Sequence, residues 1–215
     1  MPQKLTLYGF SFSSASYRAR IALNLKGLEY ESVSIKVPAG EQHAPEYEAL
    51  NPERLIPTLR HGDVTITQSL AITLYLDEVF PEIPLRPATA VERAHSLAFA
   101  LAIACEIHPL NNTRVLNYVT GPLGQSGAVR QSWYEHWIAE GLRPLETIMA
   151  RRAIQSPFCF GEAPGTADIC LIPQLANARR MKCDVTPYPT LTRIEANCLA
   201  LDAFRRAMPE NQPKV

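Results

Sequence analysis

Three hydroxyls crowd into one short stretch, Ser13-Ser14-Ala15-Ser16, directly ahead of an apolar run. A serine at such a boundary caps a helix by accepting a backbone N–H. One serine suffices for that, so the cluster holds more hydroxyl than capping needs. The unpaired N–H groups and positive dipole end of a helix start also stabilise an anion. A hydroxyl donating to a thiolate there lowers a thiol pKa from ~8.5 toward neutrality. On residue types alone, capping and thiolate binding stand level. Gln68-Ser69 repeats the arrangement after a strand-like run. Ser69 is an adequate cap, and its hydroxyl and neighbouring N–H groups equally make a seat for a carboxylate. Ile56-Pro57 opens another strand-like run. A proline there either marks a sheet edge or, in cis, turns the backbone of the preceding residue toward a bound peptide.

The elements that must position these residues follow from periodicity. Lys4–Tyr8 alternates apolar and polar, as a short strand does. Tyr17–Lys26 reads as a helix with Tyr17, Ile21, Ala22 and Leu25 on one face, stopped by Gly27. Tyr30–Val37 alternates again, so the order is strand, helix, strand, the plan of a right-handed crossover. A short helical piece near Tyr47–Leu50 follows, then strands at Ile56–Leu59 and Val64–Ile66 joined through Gly62-Asp63, and a helix from Gln68-Ser69 to about Val79. The sum, βαβ then ββα, is the thioredoxin-like order. The prolines around Pro81, Pro84 and Pro87 mark a linker over residues 81–90, with an N-terminal domain over 1–80 and a second domain over 91–215. Strand signals nearly vanish in that second part. One long helical stretch runs from Glu92 to about Leu116, another from Ala128 to Arg152, and shorter ones over Thr166–Lys182 and Leu191–Ala207, so it reads as all-α.

Bulk composition excludes several classes. Of 215 residues, 47% are hydrophobic, enough to build a core. Lys plus Arg and Asp plus Glu are both 21, so no net field recruits nucleic acid or an anionic membrane, and an anionic ligand must be held by local charges. The five cysteines are odd in number, widely spaced and form no CxxC pair, which argues against a disulfide framework or a zinc site. No window is long and apolar enough to span a bilayer, and the opening MPQKLTLYGF lacks the apolar core of a signal peptide. Reduced thiols and a cytoplasmic location are the expectation.

The run Ser13-Ser14-Ala15-Ser16-Tyr17-Arg18-Ala19-Arg20-Ile21-Ala22-Leu23 resembles the signature of zeta-class glutathione transferases, the class that includes maleylacetoacetate and maleylpyruvate isomerases. Further matches are Asn51-Pro52, Ile56-Pro57, Gln68-Ser69-Leu70-Ala71-Ile72, Ile107-His108-Pro109-Leu110-Asn111-Asn112, Ala167-Asp168, Asn177-Ala178-Arg179-Arg180 and Pro187-Tyr188-Pro189-Thr190. They run in order along nearly the whole chain. The resemblance implies the glutathione transferase fold, glutathione as cofactor, a small anionic substrate, and a homodimer. Its glutathione contacts fall on Ser13, Ser14, Gln42, Ile56, Gln68 and Ser69, and in the helical part on His108 and Asn112, reached partly from the partner subunit's side. The serine facing the thiol is Ser13 or Ser14, and the sequence leaves the two open. The arginine that holds a substrate carboxylate falls on Arg180, beside Arg179, against the plainer reading of a solvated charge. His108 by itself is more ordinarily a packing residue, and Asp168 is expected to be a structural cap.

Departures from the family pattern are Phe12 where many members carry Arg, Ala15 where many carry Cys, Leu55 in place of a Gln, and Thr113 where some isomerases have Arg. The implied activity is glutathione-dependent cis–trans isomerisation of a small diketo acid by thiolate addition and elimination. Displacement of halide from a small α-halo acid, and glutathione binding without turnover, are the alternatives.

Overall fold

The computed structural model describes residues 3–152 and 155–213. Met1, Pro2, Ala153, Ile154, Lys214 and Val215 of the two expected domains lie outside them. The chain divides into two compact units, Met1–Leu85 together with Leu199–Val215, and Arg86–Cys198. The division at Leu85 falls inside the expected linker. The last stretch, however, joins the first unit and not the helical one, which corrects the expected 91–215 boundary. The physical reason is burial: Phe204 and Ala207 are fully enclosed against the first helix, and Asn24 Nδ2 donates to Ala203 O at 2.9 Å.

The first unit runs β1 (Leu5–Gly9), α1 (Ser14–Leu25), β2 (Glu31–Ser34), α2 (Pro45–Leu50), β3 (Thr58–His61), β4 (Val64–Thr67) and α3 (Ser69–Val79). Its sheet has the order β2-β1-β3-β4. β1 and β2 are parallel, as the crossover requires, and β3 pairs antiparallel with both β1 and β4. This is the thioredoxin-like βαβ-ββα order. Leu5 and Leu7 of β1 and Leu59 of β3 are buried, as are Tyr17, Ile21 and Ala22 of α1 and Ile72 and Leu76 of α3. The same core encloses an ion pair: Lys26 Nζ lies 2.8 Å from Asp77 Oδ1 and also donates to Phe80 O at 2.8 Å. Asp77 Oδ1 in turn accepts the Leu85 N–H.

The second unit is helical, with α4 (Ala90–Leu101), α5 (Thr113–Thr120), α6 (Gly127–Ala150), α7 (Thr166–Arg180) and α8 (Pro189–Leu199). The expected continuous helix over Glu92–Leu116 is broken. α4 widens into a π turn over Ala102–Ile107 and then gives way to turns before α5. Pro109 lacks an N–H and disfavours a helical residue before it, which stops the helix. Ile107 presses on Gly141 of α6 so closely that any Cβ there would collide with it. α7 forms the core of this unit, with Ile169, Leu171 and Leu175 fully buried. The stretch expected as one helix over Leu191–Ala207 is also two, because Leu201 turns extended (φ −84°, ψ 136°) and begins α9 (Asp202–Ala207). No helix among the described residues is long and apolar enough to cross a membrane.

Candidate functional site

The serine cluster separates into three roles. Ser13 is the N-cap of α1, with an extended backbone, and its Oγ accepts the Ser16 N–H at 3.2 Å. That leaves the hydroxyl's own proton to donate outward, and Ser13 is only half-buried. Ser16 is fully buried, and its Oγ accepts the Phe10 N–H at 3.2 Å, bracing the end of β1 against α1. A Cβ on Gly9 would sit 2.8 Å from that oxygen, so only glycine leaves it room. Ser14 is buried at the first helical position, and its Oγ has no protein partner. A hydroxyl on a helix has one rotatable bond to reach with, and this one is sealed from solvent. Ser13 is therefore the more accessible hydroxyl of the two.

Ile56-Pro57 is a cis peptide bond at the mouth of β3. β3 itself begins at Thr58, later than the alternation indicated. Two residues that sequence reasoning did not single out clamp this loop from both sides. Tyr47 Oη donates to Leu55 O at 2.6 Å and meets Thr58 Oγ1 at 2.9 Å. Asn51 Nδ2 donates to Leu55 O at 2.7 Å and to Thr58 Oγ1 at 3.1 Å. Asn51 is buried, and the Asn51-Pro52 motif was its only advance signal. Gln42 lies in the short turn Glu41–His43, half-buried, with its amide oxygen enclosed and lacking a protein donor. Its longer side chain swings on several bonds, so that oxygen is able to meet a ligand amide.

At α3 the cap position belongs to Gln68 and not Ser69, and no side chain caps the helix. Gln68 adopts φ 66°, a region costly for a non-glycine residue and concentrated at ligand clamps. Its amide is tied to Glu53 Oε1 at 2.9 Å. Ser69, buried at the first helical position, accepts from Arg18 Nη1 at 3.4 Å. Its hydroxyl proton thus also remains to donate. Arg18 is almost fully buried, so a cation lies beneath an uncapped helix start, and both favour a carboxylate. Two arginines, Arg18 and Arg20, within α1 were the signal for it. An uncapped N-terminus, an enclosed amide oxygen without a donor and an outward Ser13 proton together fit a tripeptide with carboxylates and a thiol.

The remaining predicted residues lie in the second unit. Asn112 is the N-cap of α5, its Oδ1 accepting the Arg114 N–H at 3.1 Å, so its side chain has a structural role. His108 closes the π turn, its N–H bonded to Ile103 O, and is half-buried. Arg179 pairs with Glu195, whereas Arg180, at the exposed end of α7, reaches only the neutral Asn177 Oδ1, at 2.9 Å. Arg180 therefore has no carboxylate partner among the described residues. Asp168 is buried at the start of α7 and accepts the N–H groups of Gly165 and Cys159, each at 2.9 Å, the structural cap expected of it. Burial pushes its carboxyl pKa up, against the pull of those N–H groups. No cluster of metal-ligating side chains occurs among the described residues.

Residues 3–78 match the glutathione S-transferase N-terminal domain. Over 211 residues the chain is 47% identical to a probable maleylacetoacetate isomerase of Vibrio cholerae, covering 97% of each. A maleyl pyruvate isomerase structure, described as a bacterial glutathione transferase of the zeta class, superposes with a TM-score of 0.95 at 40% identity, over 97% of this chain and 99% of that one. A maleylacetoacetate isomerase of Methylobacterium extorquens with bound malonate and glutathione superposes at 0.94 and 39% identity, over 97% and 98%. Likeness of this extent, along the whole length of the chain, makes it a member of the zeta-class glutathione transferase family.

Proposed function

We propose that the chain is a glutathione-dependent isomerase that converts a small cis diketo dicarboxylic acid, maleylacetoacetate or maleylpyruvate, to its trans isomer, as a cytoplasmic homodimer. The observation that carries this reading is Ser13: a helix cap whose hydroxyl oxygen is occupied by Ser16 and whose proton is free for a sulfur. Glutathione, when bound, supplies a thiol that adds reversibly to the conjugated double bond and so lets it rotate. The chain's own residues prepare that chemistry. Ser13 Oγ–H and the α1 N-terminus hold the sulfur as thiolate at neutral pH. Ser69 and the uncapped start of α3, with Arg18 beneath, receive a carboxylate. Gln42 and the backbone of Ile56 hold the peptide. Arg180 offers a guanidinium fork to a substrate carboxylate. The Methylobacterium relative binds both glutathione and malonate, a dicarboxylate, which supports this reading.

The test mixes enzyme and glutathione with each diketo acid and follows absorbance. Turnover strictly dependent on glutathione is expected with one of the two. Absent turnover, or turnover without glutathione, contradicts the proposal. Glutathione-dependent halide release from an α-halo acid with no isomerisation would replace it by displacement chemistry.

A further inference from the structure

Arg20 is nearly as buried as Arg18, but its hydrogen bonds go elsewhere than α3. Its three nitrogens each hold a backbone carbonyl of the first unit: Nε donates to Ala207 O at 2.9 Å, Nη1 to Phe10 O at 3.3 Å and Nη2 to Ser11 O at 2.9 Å. Two of these carbonyls belong to the turn that leads into Ser13, and the third ends α9. The Phe10 carbonyl is shared, because it also accepts the Ser13 backbone N–H at 3.1 Å. Arg20 thus sits one atom away from the bond that places Ser13. The guanidinium also packs over the Tyr17 ring, 5.5 Å from its centroid. The planar fork spreads its donors over three nitrogens in fixed directions, a spacing that the single nitrogen of a lysine ammonium does not reproduce. Carbonyls at a helix end lack partners within the helix, so the end of α9 and a buried cation complement one another.

We propose that Arg20 is a positioning residue for the thiolate site, locking the Phe10–Ser13 turn to the C-terminal helix α9 so that the Ser13 hydroxyl stays aimed. Burial lowers its pKa to about 10, so it remains a cation at neutral pH. Helix α9 thereby acts on chemistry at the first helix. The inference rests on the glutathione reading above, and its test separates the two.

The experiment compares Arg20→Gln, Arg20→Lys and Asn24→Ala with the parent chain. Each is titrated for the thiolate absorbance of bound glutathione, assayed for kcat/KM, and melted. Asn24 is the control, because it ties α1 to α9 through Ala203 O and touches no carbonyl of the turn. Arg20→Gln is expected to raise the bound thiol's pKa and to lower kcat/KM by about tenfold to a hundredfold, the cost of a small misplacement. Arg20→Lys keeps the charge, folds more readily and shows the same direction to a smaller degree. Asn24→Ala is expected to lower the Tm with the thiol pKa unmoved. A parental thiol pKa and kcat/KM in both Arg20 variants would reduce Arg20 to a structural residue and overturn the proposal. An equal pKa shift in Asn24→Ala would overturn it too, since the turn would then respond to α9 docking at large. A parent chain that leaves the thiol pKa at its free value defeats the glutathione reading itself.

Discussion

The starts of α1 and α7 are both built from polar side chains meeting backbone N–H groups, yet they are organised in opposite ways. At α7 a buried carboxylate answers backbone donors inside the protein. Asp168 accepts from Gly165 and Cys159, the Cys198 thiol approaches the same carboxylate at 3.8 Å, and the residue is sealed. At α1 the cap accepts one N–H, and its half-buried hydroxyl proton has no acceptor among the described residues. The caps of α4 and α6, Thr89 and Ser126, also accept one N–H each but are exposed, whereas Ser13 is half-buried in the unit that holds the cis Ile56-Pro57 bond. The start of α3 belongs with α1, since no side chain among the described residues caps it and the Ser69 hydroxyl oxygen accepts from Arg18.

The comparison is sharpest where it is broken at α7. Asp168→Ala orphans the buried Cys159 N–H and the part-buried Gly165 N–H, so urea unfolding should show a loss of about 3 kcal/mol, with the bound thiol's pKa unchanged in protein that still folds. Ser13→Ala should invert that profile. Loss of one aimed donor to developing charge lowers kcat by about a hundredfold or more, while loss of a cap costs only ~1 kcal/mol of stability. Arg180→Ala should raise KM for the diketo acid by about tenfold, as one charge-assisted hydrogen bond is worth ~1.5–3 kcal/mol, and leave the thiol pKa alone. Arg179→Ala, losing the Glu195 pair, should act on stability and not on KM. The smallest effect is chemical. Cys159, Cys170, Cys183 and Cys198 are buried, and burial pushes the Cys183 thiol up to about 11. Ellman titration of the folded protein at pH 8 should therefore find only the exposed Cys105 reacting fast, and all five thiols in denaturant.

Much of the first unit was legible because its signals are local. Alternation in Lys4–Tyr8, a stripe through Ile21 and Leu25, and glycine at a tight turn each predict their own element. Where the reading failed, the cause lay outside the local window. The apolar period runs unbroken through Ala102–Ile107, so nothing in it announces a π turn or the collision of Ile107 with Gly141. α9 joins the first unit through contacts more than 170 residues away in sequence, such as Asn24 with Ala203, which periodicity cannot see. Among the site residues, the serine cluster was found but its division of labour was not. Three adjacent hydroxyls look alike in sequence, and only geometry shows that Ser16 braces β1, Ser14 is sealed and Ser13 keeps a proton. Asn112 likewise has a second task that its motif did not announce, since its Oδ1 caps α5.

The most direct test measures the thiol pKa of bound glutathione, by thiolate absorbance against pH, in the parent chain, Ser13→Ala and Ser14→Ala. The parent should hold the thiol well below its free value of ~8.5. Ser13→Ala should return it toward that value, and Ser14→Ala should leave it where the parent has it. A shift confined to Ser14→Ala, or none in either, would contradict the assignment of the outward hydroxyl at α1 as the group that holds the thiolate.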